Sequence, residues 1–193
     1  MRTFLINYLV NRGQRTYPGW YRFVVLIGTI IFVFIFLPAV FIFTGRFIEF
    51  FVTGRAPAFM GALFALVCLG IGTTLIIWTL LLHYGYARGS GSHMAPPREL
   101  ILSGPYRICR HPMQVGAILL YLGTGIWFAS VFVGVYGALV TLLLGYWFHT
   151  YIEEPVLVIR FGDAYRRYQK TVPLVPFLFV GAYKRNGEHK AGD

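Results

Sequence analysis

Acidic residues are scarce in this chain: Asp and Glu number seven among 193 residues, against 17 Lys and Arg. Charged residues of both signs make up 12%, while 57% of the chain is hydrophobic and the mean hydropathy is +0.64. So little charge excludes an ordinary soluble domain, which carries about 25%, and places the chain in a bilayer. The formal charge of +10 does not point to nucleic acid, because the basic residues are scattered between apolar runs and form no single polar face. Cysteine is as sparse: Cys68 lies in an apolar run and Cys109 in a polar one, which excludes a disulfide framework and leaves the compartment unread. His83, His93, His111 and His149 are too widely spaced along the chain to suggest a metal site, and none is expected. A small-residue cleavage signature is also missing. The first long apolar run, 23–43, ends in Thr44-Gly45-Arg46, so it reads as a crossing and not as a removable leader.

Long apolar sequence is what the chain has in abundance. Residues 1–22 hold four arginines and no acid, with Phe4, Leu5, Tyr8 and Leu9 at helical spacing. This predicts an interfacial helix, as an anchor or as a gate for lipid. The runs 23–43 and 59–82 each suffice for one crossing, with a kink at Pro38, a loop over 44–58 and a helix start at Pro57. Their glycines, Gly61, Gly70 and Gly72, carry no claim, since glycine is common in membrane helices. Residues 84–102 are rich in Gly, Ser and Pro, either a flexible linker or a loop whose backbone N–H groups approach a ligand.

The run 112–152 is twice as long as one crossing requires, so it must turn back near Phe128-Ala129-Ser130. A hairpin there returns Glu153 and Glu154 to the surface that holds Arg110 and His111. The expected fold is an all-α integral membrane protein of about four transmembrane helices with a C-terminal helical hairpin. It divides into an interfacial segment 1–22, two crossings over 23–83, a functional region 84–180 and a tail 181–193, with 177–180 dipping into the interface. Alternate faces of four crossings would carry 15 and 2 basic residues. The positive-inside rule then places both termini and the 104–116 face in the cytoplasm.

Residues 104–116 read Gly-Pro-Tyr-Arg-Ile-Cys-Arg-His-Pro-Met-Gln-Val-Gly. A residue before proline is biased away from the α region, so Gly104 and His111 predict turns and Pro112 the first position of a helix. The free N–H groups and dipole of that helix start face an anion at the membrane surface, beside Arg107, Arg110 and His111. Taken singly, each residue has a plainer reading. The arginines reach lipid phosphate, His111 bonds within a turn, Glu153 and Glu154 cap the segment begun by Pro155, and His149 packs between helices. Their occurrence together on one face predicts a binding site.

Gly104-Pro-Tyr-Arg, Arg110-His-Pro-Met, an apolar hairpin, Glu153-Glu154, Phe161-Gly162, Tyr165 and Tyr168 follow one another in this order. The series resembles the isoprenylcysteine carboxyl methyltransferase and phospholipid methyltransferase superfamily over residues 89–176. The resemblance implies a membrane enzyme that moves a methyl group from S-adenosylmethionine to a lipophilic acceptor, leaving S-adenosylhomocysteine. Carboxylate O-methylation of the isoprenylcysteine type is the first expectation and N-methylation of a phospholipid amine the second. The cytosolic segments would bind the cofactor. The implied pocket holds Arg110, His111, Pro112, Met113, Glu153 and Glu154, with Arg110, His111, Glu153 and Glu154 as candidate catalytic groups. Gln114 departs from the pattern, standing where the superfamily usually has tyrosine. Sterol reductases continue their Arg-His-Pro motif with Asn-Tyr-x-Gly-Glu, whereas Met113-Gln114-Val115-Gly116-Ala117 lacks that asparagine and glutamate, which favours methyl over hydride transfer. A membrane scaffold would explain the crossings and leave the Arg-His-Pro and Glu-Glu pairing unexplained.

S-adenosylmethionine presents a carboxylate, an ammonium, a sulfonium and an adenine. Arg107, Arg110 and the helix start at Pro112 suit the carboxylate, and Glu153 or Glu154 suits the ammonium or ribose hydroxyls. Tyr106, Tyr165 and Tyr168 suit the adenine or sulfonium. In-line methyl transfer needs alignment and exclusion of water, and no enzyme nucleophile. A carboxylate acceptor arrives ready to react; an amine must lose a proton, for which His111 or a glutamate would serve. The expected partners are a lipophilic or prenylated acceptor and membrane lipids.

Overall fold

The computed structural model describes residues 2–52, 61–90 and 94–176; the expectations for Pro57, Phe59, His93 and the segment 177–193 lie outside them. Among the described residues all regular structure is helical. We label the helices α1 (Arg2–Gln14), α2 (Gly19–Val52), α3 (Ala62–Leu81), α4 (Pro112–Phe128), α5 (Val131–Phe148) and α6 (Glu154–Thr171). Three continuous helical stretches are long and apolar enough to cross a membrane, Gly19–Val52, Ala62–Tyr86 and Val131–Thr171, and α4 is a shorter apolar helix of 17 residues. The chain is a membrane protein, all-helical among the described residues.

The first crossing departs from expectation at both ends. Trp20, Tyr21 and Arg22 belong to α2, which begins after a break at residues 15–18, and Thr44-Gly45-Arg46 does not end it. Nothing in that tripeptide breaks a helix once it is packed. The Thr44 hydroxyl donates back to Val40 O at 2.7 Å, and Gly45 lies against Val133 and Tyr136 of α5, where a Cβ would be crowded. Pro38 cannot donate to the preceding turn; the π turn Phe32–Phe36 just before it takes up the mismatch, with the Leu37 N–H reaching Phe32 O.

α4 packs against α3 on one side and α5 on the other, and glycines set how closely. A Cβ on Gly72 would collide with Gly116 O and Leu120 N, and one on Gly116 with Ile76 and Gly72 O, so the two backbones meet directly. Gly72 is thus a packing residue after all, while Gly70 has open space beside it. Gly116→Leu is expected to overpack this contact at a cost of about 1–3 kcal/mol. Thermal unfolding in detergent reads the loss, with Gly70→Leu as the variant that should leave the midpoint in place.

The chain turns at Ala129–Ser130, where the Ser130 hydroxyl accepts from Val133 N–H at 3.2 Å and caps α5. Contacts between α4 and α5 run from Gly125 against Gly134 to Gln114 against Thr141 and Gly145, so the helices are antiparallel. The end of α5 therefore returns to the start of α4. A π turn, His149–Glu153, then leads into α6. Pro155 lacks an N–H for Tyr151 O, and the Arg2 side chain of α1 donates to that carbonyl at 3.1 Å.

α6 bends sharply at Gly162, whose φ of 56° is a left-handed value that glycine adopts without a steric cost. In a straight helix residues 11 positions apart stand about 16 Å apart. The bend instead lets the Tyr165 hydroxyl donate to Glu154 Oε1 at 3.3 Å. α1 covers the outer side, with Leu9 packed on Ile152 and Val156. Arg160 ties the cover down by donating to Gly13 O and Pro97 O.

Candidate functional site

The motif loop is held from both sides. Gly104–Arg107 forms a 3₁₀ turn, opened by Gly104 at φ 60°, as the Gly-Pro pair predicts. Pro112 occupies the first turn of α4 and His111 the position before it. The Arg110 N–H donates to Pro173 O at 2.9 Å and the His111 N–H to Leu174 O at 3.2 Å. The stretch 172–176, with prolines at 173 and 176, supplies the acceptors that fix the motif backbone.

At this junction Arg110 pairs with Glu154 Oε1 at 2.5 Å, both side chains nearly buried. Glu154 also accepts from Tyr165 and, at 3.1 Å, from Gln169. His111 Nδ1 stands 3.5 Å from Glu153 Oε2, and its Nε2 stands 3.8 Å from Glu154 Oε1, beyond hydrogen-bond distance. The His111 and His149 rings stack with centroids 3.9 Å apart and planes 22° apart. His149 Nδ1 meets Glu153 Oε2 in a short contact, and His149 Nε2 lies 3.3 Å from Gln114 Oε1. Burial pushes the His111 imidazole below the ordinary histidine range; His149 adds to this, and Glu153 and Glu154 oppose it.

A cavity opens beside the cluster, with about 1000 Å³ of empty space, part of it open to solvent. Tyr106, Arg110, His111, Met113, Glu153, Tyr165 and Tyr168 line it, as does Gln114. Glu154 stands behind Arg110 and Tyr165, and Pro112 is buried as the helix start. Arg107 is exposed and does not line the cavity. The Tyr168 hydroxyl donates to Tyr106 O at 2.6 Å, closing α6 over the motif loop. Burial pushes the Cys109 thiol up to about 11, so it is a protonated, inert side chain under the loop. Burial likewise raises the Tyr106 phenol, which stays protonated.

Leu9 from α1, Pro96, Pro97 and Glu99 from the loop, and Leu157, Arg160 and Phe161 from α6 also line the cavity. Phe161 stands in the motif series read from sequence, and the proline and glycine content of the loop pointed to a ligand approach, though 91–93 lie outside the described residues; Glu99 carried no such signal. His149 did carry one, four positions before Glu153 on what was read as a helix. Sequence distance misjudged the histidines, for ligand atoms of His111, His149 and Glu153 lie within 4.8 Å of one another. Stacked rings do not make a metal site of them, however. Imidazole lone pairs lie in the ring plane, and two planes this nearly parallel do not meet at the roughly 2.0–2.1 Å from each nitrogen that zinc requires.

The buried atoms without a hydrogen-bond partner here are Arg110 Nε and His111 Nε2. A polar atom so placed costs free energy unless something else meets it. The set of groups offers a cation, two carboxylates, a histidine pair and three tyrosines at one end of an apolar helix bundle. The chain matches no curated protein and no solved structure. A family model described as phospholipid methyltransferase matches residues 58–164, from before α3 to the second half of α6, and so contains the motif loop, both histidines and both glutamates. That match covers more than half of the chain, which belongs to the phospholipid methyltransferase family of membrane methyltransferases.

Proposed function

We propose that the chain transfers a methyl group from S-adenosylmethionine to an amine-bearing lipid that enters from the bilayer, with the site on the cytoplasmic face. The observation that carries this reading is the convergence of Arg110, His111, Glu153 and the tyrosines Tyr106, Tyr165 and Tyr168 on one cavity. The residues suit the cofactor's groups: Arg110 its carboxylate, Glu153 its ammonium or ribose, and the faces of Tyr106, Tyr165 and Tyr168 its adenine and sulfonium. When bound, the cofactor supplies an electrophilic methyl carbon. α1 and α6 cover one side of the cavity, and alignment of the two substrates there would provide much of the rate. Arg107, exposed, is left to the membrane surface. His111 supports the amine class ahead of the carboxylate expected first from sequence: a carboxylate needs no base, whereas an amine does, and a buried imidazole kept neutral can take up a proton.

Calorimetric titration of S-adenosylhomocysteine into detergent-purified protein tests the cofactor. Saturable binding is expected, weakened about 10–100-fold by Arg110→Ala, the worth of a hydrogen bond to a charged group. No binding by folded wild-type protein would overturn the reading. Labelled methyl donor offered with vesicles of phosphatidylethanolamine or with a prenylated cysteine then separates the two acceptor classes.

A further inference from the structure

The Gln114 amide is oriented by a carbonyl. Its NH₂ donates to Thr141 O at 2.5 Å, so its oxygen must face His149 Nε2. An amide oxygen can only accept, which requires the hydrogen on His149 Nε2. The other ring nitrogen, Nδ1, meets a carboxylate oxygen of Glu153, and that contact also needs a proton. A neutral imidazole has one N–H and cannot serve both. Gly145 belongs to the same arrangement, for a Cβ there would overlap the Gln114 amide.

We propose that Gln114 is a positioning residue: it makes His149 and Glu153 hold one additional proton between them, and so keeps His111, stacked on the pair, neutral as base for an amine acceptor. The inference rests on the methyl-transfer reading above. On either side of the short contact the shared proton leaves the pair with no net charge, whereas without that proton the pair carries one negative charge beside His111. In neutral His111, Nδ1 stands 3.5 Å from Glu153 Oε2, and the buried Nε2, without a hydrogen-bond partner, stands 3.8 Å from Glu154 Oε1. As the nitrogen of a neutral amine bonds to the methyl carbon, the S–CH₃ bond breaks and its electron pair stays on sulfur. One N–H proton of the acceptor passes to the unprotonated ring nitrogen of His111, whose new charge is faced by Glu153 Oε2 at 3.5 Å and Glu154 Oε1 at 3.8 Å. The titratable and charged groups around His111 are His149 and Glu153 from the π turn, Glu154 and Tyr165 from α6, and Arg110 and Tyr106 from its own loop; the 173–174 segment contributes backbone only.

Gln114→Met keeps the size and removes the amide; Gly145→Ala keeps Gln114 and displaces it. Both should still bind S-adenosylhomocysteine saturably, which shows that the site remains folded. Both should move the acid limb of kcat/KM upward by about one pH unit, a tenfold change in proton affinity. Imidazole ¹⁵N spectra of the wild type should show His149 protonated at both nitrogens, or at Nε2 with a shared Nδ1 proton, and a neutral Nε2 in Gln114→Met. An unmoved acid limb, or a wild-type His149 with a bare Nε2, would overturn the proposal while leaving cofactor binding intact. Loss of that spectrum on chelator treatment would instead reveal a metal and overturn it also. Failure of the wild type to bind S-adenosylhomocysteine would sink the methyl-transfer reading, and the spectra would still report the tautomer.

Discussion

His111→Ala is expected to lower methyl transfer to an amine lipid by about 10²–10⁴-fold, the usual worth of a positioned general base. The affinity for S-adenosylhomocysteine should change far less, because Arg110 and Glu153 remain. The pH profile carries the sign. Burial holds His111 below the ordinary value of 6.5, so the base is neutral at pH 7 and the wild-type rate falls only as pH drops into the more acidic region. The variant should lose that acid limb. Stability follows the same linkage: the unfolded chain takes up a proton near 6.5 while the folded chain does not. The contribution of this group is therefore full above that pH and is lost as pH falls below it. Rates with labelled methyl donor between pH 5 and 8 decide the matter; a variant with wild-type rate and an unchanged acid limb would remove His111 from the chemistry.

The elements most legible in the sequence were those that physics dictates locally. An uncharged run of 112–152 can only double back, and Ser130 beside the apolar break marks where; Gly104, His111 and Pro112 announce a turn and a helix start. The end of α2 was hidden because Thr44-Gly45-Arg46 looks like a loop to hydropathy, while the α5 surface it packs on lies some 90 positions away in the chain. The same distance hid the roles of Pro173 and Leu174, whose value is two backbone carbonyls. Most of the motif residues named from sequence line one cavity, and Arg107 lies outside it. What pattern could not give was connectivity: that Gln114, noticed as a departure, touches His149, and that Gly145 leaves room for it. Such contacts are set by helix register, which hydropathy does not encode.

The two adjacent glutamates should separate sharply when each is replaced. Glu154 accepts from Arg110, Tyr165 and Gln169 at once and is nearly buried, so it joins the motif loop to both halves of the bent α6. Glu154→Ala leaves the Arg110 guanidinium buried without its counter-ion, a change that costs about 3–5 kcal/mol. Glu154→Gln keeps the shape and the Tyr165 contact but not the charge, and should fall between the two. Glu153 is more exposed, at 23% of its side chain against 13%, and lines the cavity. Glu153→Ala should therefore leave the fold nearly intact and weaken the cofactor and the shared proton instead. Thermal unfolding in detergent, with proteolysis to follow release of α6, tests the split. Equal midpoints for Glu154→Ala and Glu153→Ala would show that the buried ion pair does not hold α6 over the site, and the closure would then have to come from the Tyr168 hydroxyl on Tyr106 O and from Arg160 beneath α1.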